Sequence, residues 1–155
     1  MKWKVPPRIK VHEALGAIGD GRIKTDGNTA KVYSSSGNKF YTVTYDSNSY
    51  SLMVNDNGSY WKGYLGYPAI AFLMLIGKFP YARKQTDVFK DIAWKDINTK
   101  FKNDFDKTLE YIHNIQKEKG IDVEKLEEEI NNIHLKISEN LPSILGKKVK
   151  PPEEY

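Results

Sequence analysis

The sequence predicts an α+β fold: an N-terminal helix, a four-stranded antiparallel meander, a buried central helix and a C-terminal helical hairpin. Three observations carry this reading. Between residues 22 and 54, four short runs rich in β-branched and aromatic residues are punctuated by Gly, Asn, Asp and Ser. Residues 69–76 hold no polar side chain. Beyond residue 95, apolar residues recur at helical spacing.

Taken in order, residues 1–8 are basic, and Pro6 and Pro7 keep them extended. Ile9, Val11, Ala14, Leu15 and Ile18 then share one helical face, so a short amphipathic helix spans residues 9–18 and stops at Gly19-Asp20-Gly21. Strands follow at 22–25, 29–34, 39–45 and 50–54. The Asp26-Gly27-Asn28 turn suits a hairpin because its residues tolerate positive φ. In the third run Tyr41, Val43 and Tyr45 face one way and Phe40, Thr42 and Thr44 the other. Links this short join antiparallel neighbours, since parallel pairs need long crossovers.

Pro68 fits the first turn of a helix and Gly77 the position just past its end. The helix between them, 68–76, is apolar all round and must be buried, most simply across the apolar face of the meander. Thr86 is read as the N-cap of a short helix carrying Val88, Phe89 and Ile92, with Trp94 at its end. A long helix from about residue 95 carries Ile97, Phe101, Phe105, Leu109, Ile112 and Ile115 to Lys119-Gly120. Asp122 caps the next, whose Val123, Leu126, Ile130, Ile133 and Ile137 form a coiled-coil-like stripe. The chain thus divides into a core at 1–80, a helical region at 81–140 and a basic tail at 141–155, whose last ten residues are expected to be poorly ordered.

Composition narrows the function classes. With 155 residues the chain can bury a core without a staple. It has no cysteine, which excludes a disulfide framework, a thiol nucleophile and Cys-based metal sites, and fits a reducing, cytoplasmic setting. Residues 1–8 lack the apolar stretch of a signal peptide. The longest apolar segment, even extended to 65–79, falls short of the ~20 residues of a membrane span. The net charge of +4 and a pI near 9.0 give mild attraction for polyanions.

The most unusual stretch interleaves Tyr60, Trp61, Tyr64 and Tyr67 with Gly58, Gly63, Gly66 and Lys62. Aromatics beside cations are the platform on which unpaired bases stack. With Lys78, Arg83, Lys84, Lys147, Lys148 and Lys150 as flanking charges, this favours a non-enzymatic nucleic-acid-binding protein. The competing reading of the same rings is core packing over the sheet. An alternative function is a protein-interaction module that pairs or self-associates through Val123, Leu126, Ile130, Ile133 and Ile137.

Other chemistry is weaker. The turn Ser34-Ser35-Ser36-Gly37 precedes a strand, so it reads as turn chemistry and not as a phosphate loop. His12, His113 and His134 form no metal-binding spacing. His113 and His134 lie on neighbouring helices, with Glu110 and Glu127 as nominal further ligands. The expectation is therefore no metal, no cofactor and no catalytic residue. Asp87, Asp91, Asp96 and Glu127 to Glu129 read as solvated helix faces. A small-molecule enzyme would need a pocket of convergent polar groups.

The hairpin Ser36–Tyr45, the run Ser51-Leu52-Met53-Val54 and the segment Gly66–Leu73 resemble a SWIM-type ββα module. That family's Cys-x-Cys and Cys-x-His pairs are absent. Leu52 and Val54 stand near the first pair and Tyr67 and Ala69 near the second, so the resemblance implies a binding module in which apolar packing replaces zinc. The Lys-, Ile-, Tyr- and Glu-rich, cysteine-free composition also resembles that of small uncharacterised archaeal proteins.

Overall fold

A computed structural model describes residues 1–153, organised around one mixed sheet. The first helix, α1 (Ile9–Gly19), leads into four antiparallel strands, β1 (Ile23–Asp26), β2 (Thr29–Tyr33), β3 (Phe40–Asp46) and β4 (Ser51–Val54), paired in chain order. The β1–β2 hairpin closes between Asp26 and Thr29, with Gly27 at φ 60° supplying the left-handed turn residue. Tyr41, Val43 and Tyr45 of β3 are buried and Phe40, Thr42 and Thr44 exposed, the alternation expected of a half-covered strand.

The apolar helix α2 (Tyr67–Leu75) buries every residue from Pro68 to Met74. It packs on β1, β3 and β4 and also on α1, so its lack of a polar face matches neighbours on several sides. The Tyr45 and Phe72 rings meet at 5.6 Å between sheet and helix. Leu52, Val54 and Ala69, near the ligand positions of the SWIM-type pattern, are core residues. The remaining helices are α3 (Arg83–Val88), α4 (Trp94–Lys100), α5 (Phe105–Glu118) and α6 (Val123–Glu139).

Four expectations change. The long helix from residue 95 is two helices, because Lys102 and Asn103 adopt positive φ (52° and 61°) and turn the chain. Asp104 then caps α5, accepting from the Lys107 N–H at 3.3 Å. Thr86 is not an N-cap. Its hydroxyl donates to the Arg83 carbonyl at 2.8 Å inside α3, while Gln85 closes the helix start by accepting from the Ala82 N–H. Trp94 opens α4 instead of ending the helix before it. The stripe of α6 (Val123, Leu126, Ile130, Ile133, Ile137), expected to be open to a partner, is buried within the chain, its last four residues in the main core.

The tail contributes more than its composition promised. Ser143–Ile144 forms β5, parallel to β4 through Ser51↔Ser143. The N-terminus is held there too: the Ile144 N–H donates to the Met1 carbonyl and the Trp3 N–H to the Pro142 carbonyl. Trp3 is only 1% exposed, and its indole N–H reaches the Leu52 carbonyl at 2.9 Å. Of the ten tail residues expected to be poorly ordered, 146–153 carry no helix or strand, and the last two lie outside the described residues. Among the described residues no helix is long and apolar enough to cross a membrane.

Candidate functional site

The aromatic–glycine stretch forms a single π-helical turn, Gly58–Lys62, closed by the Gly63 N–H on the Gly58 carbonyl at 3.1 Å. A buried knot holds it. The Ser59 hydroxyl donates to Asp56 Oδ1 at 2.5 Å and accepts from the Gly66 N–H at 3.0 Å. Gly66 is required by close approach: a Cβ there would lie 2.2 Å from Asp56 Oδ2. Burial pushes the Asp56 carboxyl up from its ordinary value, opposed by the Ser59 hydroxyl and by Lys10.

This turn forms one wall of a cavity of about 730 Å³. Lys10 and Glu13 of α1 form the next wall. Arg22, Ser34, Ser35, Lys39 and Tyr41 enter from the sheet and its connections, and Trp94, Lys95, Asn98 and Thr99 from α4. Asn103 and Phe105 complete it at the α4–α5 break. The volume is that of a metabolite site, and the lining mixes rings with convergent polar groups.

Its electrostatics are asymmetric. Among the described lining residues are five cations (Lys10, Arg22, Lys39, Lys62, Lys95) and two carboxylates (Glu13, Asp56). Lys10 Nζ sits 2.8 Å from Glu13 Oε2. Burial by itself would lower the Lys10 pKa, but Glu13, then Tyr64 and Asp56, hold it above the usual lysine range. Lys10 is therefore a fixed charge and not an amine nucleophile. Glu13 Oε1 accepts from Asn98 Nδ2 at 3.1 Å, which leaves the buried Asn98 Oδ1 with no partner. Arg22 donates through Nε to Asp20 at 3.0 Å and through Nη1 to the Tyr33 carbonyl at 2.8 Å, and its guanidinium also faces the Tyr67 hydroxyl, while its buried Nη2 has no close hydrogen-bond partner among the described residues. Burial, followed by the neighbouring Tyr41, raises the Tyr67 hydroxyl well above its ordinary value, and the Arg22 charge only partly offsets this. Tyr64 is raised too, by burial first. Both phenols stay protonated at neutral pH.

Of the expected site residues, Trp61, Lys62, Tyr64 and Tyr67 line this cavity. Trp61 stands at its rim, 66% exposed, with Tyr60 edge-on at 4.7 Å. The flanking cations do not line the cavity. Lys78 lies over the Tyr50 ring, Arg83 opens α3, and Lys84 Nζ is 3.4 Å from Glu129 Oε1. Lys148 lies over the Trp3 ring, the Lys150 carbonyl accepts from Asn55, and Lys147 is exposed in the tail. Lys148 also reaches the turn, its Nζ 3.3 Å from where a Cβ on Gly63 would stand, while Lys78, Arg83 and Lys84 sit on other elements and none of the six lines the cavity.

Lys10, Glu13, Arg22, Lys39, Asp56 and Asn98 escape a reading by motif, since they come from separate segments. One signal was present: Lys10 and Glu13 sit three residues apart in a helix otherwise dominated by apolar side chains. The serine turn is likewise more than a hairpin, for Ser35 Oγ accepts from the Lys95 N–H at 3.0 Å and ties the sheet to α4. The histidines regroup. His134 bonds to the Pro6 carbonyl at 2.8 Å, while His12 and His113 both meet Glu127, which is no solvated-face residue.

Residues 3–142 match the model of one protein family, described as Uncharacterised conserved protein UCP014422. No curated protein and no solved structure matches the chain.

Proposed function

The chain belongs to the family Uncharacterised conserved protein UCP014422, and from its cavity we propose that it binds a small ring-bearing anion of the nucleotide class. The observation that carries this is two buried polar atoms with no close hydrogen-bond partner among the described residues, the donor Arg22 Nη2 and the acceptor Asn98 Oδ1, in a cavity also lined by Lys10 and Lys62. A buried polar group left without a partner costs about 1–3 kcal/mol. A ligand offering an anionic oxygen to Arg22 and an N–H or O–H to Asn98 recovers that cost. Trp61 at the rim and Tyr64 and Tyr67 within supply faces and edges for a planar ring. A cysteine-free chain suits the reducing cytoplasm in which such metabolites circulate.

Calorimetric titration with nucleoside monophosphates, and separately with inorganic phosphate, tests the reading. Arg22→Met removes one charge-assisted hydrogen bond worth about 1.5–3 kcal/mol, so the dissociation constant rises at least about tenfold. Trp61→Ala weakens nucleotide but not phosphate binding and leaves the melting temperature unchanged. Absence of binding by either anion, or equal affinity in Arg22→Met, overturns the proposal.

A second reading is favoured by the exposure of Trp61 beside Lys62: the same mouth binds one base of a single strand. Oligonucleotides would then bind more tightly than mononucleotides, with affinity falling steeply in salt.

A further inference from the structure

We propose that His12, His113 and Glu127 form a binding site for a divalent transition-metal ion of the zinc class, where α1, α5 and α6 meet. It is independent of the nucleotide reading, because His12 packs toward Phe89 and His113 and does not line the cavity.

The three residues are far apart in sequence, yet one ligand atom from each lies within 4.8 Å of the others. His12 Nε2 is 2.7 Å and His113 Nε2 2.6 Å from the same oxygen, Glu127 Oε1. The other nitrogen of His12 settles its role. Nδ1 is 3.1 Å from the Arg8 carbonyl, which only accepts, so Nδ1 carries the hydrogen. Nε2 is then the nitrogen turned toward Glu127 Oε1, and a divalent ion takes it together with His113 Nε2 and the carboxylate.

The surroundings fit a metal site. Metal-bound histidines usually donate their second N–H to a carbonyl or carboxylate, and bound carboxylates are themselves hydrogen-bonded. Arg8 does both: its carbonyl orients His12 and its guanidinium pairs with Glu127 Oε2, leaving Oε1 for the ion. Tetrahedral zinc, with bonds of about 2.0–2.1 Å, needs donor atoms about 3.3 Å apart, so each imidazole nitrogen moves off Glu127 Oε1 by roughly half an ångström or a little more to admit the ion. Two imidazoles and a carboxylate, with no thiol in the chain, select Zn²⁺ or Co²⁺ over soft ions. Three protein ligands leave one position for water, the arrangement of catalytic zinc.

The test is titration of the chelator-treated full chain with Zn²⁺ by calorimetry and with Co²⁺ by visible absorption. The expected result is one ion per chain with a tetrahedral Co²⁺ spectrum. Affinity falls about 100-fold or more in His113→Ala and is unchanged in His134→Ala. His113 is only partly buried, so this variant folds even where Glu127→Gln fails to. Failure of the wild-type chain to take up either ion overturns the assignment. So does wild-type affinity in His113→Ala, or an equal loss in His134→Ala.

Discussion

Tyr50 illustrates how far a residue's behaviour departs from its type. The sequence places it at the head of a strand, but its φ of 48° is that of a turn, and its hydroxyl donates to the Asn140 carbonyl at 2.6 Å. Burial, followed by the nearby Tyr45, pushes its phenol up to about 12. The unfolded phenol ionises near its usual value of about 10. Above that pH the unfolded chain releases a proton that the folded chain still holds, so the Tyr50 contribution is complete below about pH 10 and is lost as pH rises toward about 12. Tyr50→Phe therefore flattens the alkaline loss of stability over that interval, as read from urea melts at successive pH values. An unchanged slope would assign the loss to other groups.

At the scale of an element, the aromatic turn is held by three small residues and not by its rings. Ser59 receives one hydrogen bond and gives another inside a site with no solvent. Ser59→Ala strands both Asp56 and the Gly66 N–H, at a cost of about 1–3 kcal/mol per abandoned group. Gly66→Ala drives a methyl into the Asp56 carboxylate and costs a similar amount. Both variants lower the urea midpoint, and both weaken ligand binding by displacing Trp61 and Tyr64. The break between α4 and α5 is the opposite case. Nothing in Lys102-Asn103 disfavours a helix as strongly as Gly or Pro, so a continuous apolar period reads as one rod. The turn forms there because Asp104 caps the next helix and Asn103 and Phe105 close the cavity.

At the scale of the whole molecule, one apolar cluster takes residues from α1, the sheet, α2 and the later helices. Trp3 holds its terminal side, where the first residues and β5 meet the β4 edge. Trp3→Ala removes a fully buried indole and costs about 3–5 kcal/mol, a large share of a domain's stability. Thermal melts of this variant and of Trp61→Ala contrast the two tryptophans: the first lowers the melting temperature strongly and the second leaves it in place. Equal effects would contradict the assignment of Trp3 to the core and Trp61 to the rim. The same assembly consumes the α6 stripe, so association through it would require the chain to open.

Periodicity and turn chemistry by themselves determined the α+β class, the order of the first four strands, the alternation in β3 and the burial of α2. Each follows from spacing along the chain, where neighbours in sequence are neighbours in space. They also marked Tyr60, Trp61, Lys62, Tyr64 and Tyr67 as one group, of which all but Tyr60 line the cavity. Only the tertiary structure decided that Lys10, Glu13, Arg22, Lys39 and Asn98 face the same cavity, and that His12 and His113 converge on Glu127 while His134 does not. The meaning of a charged or imidazole side chain depends on what surrounds it and how dry the place is. That is set by contacts between distant segments, such as the 115 residues from His12 to Glu127, which no local pattern encodes.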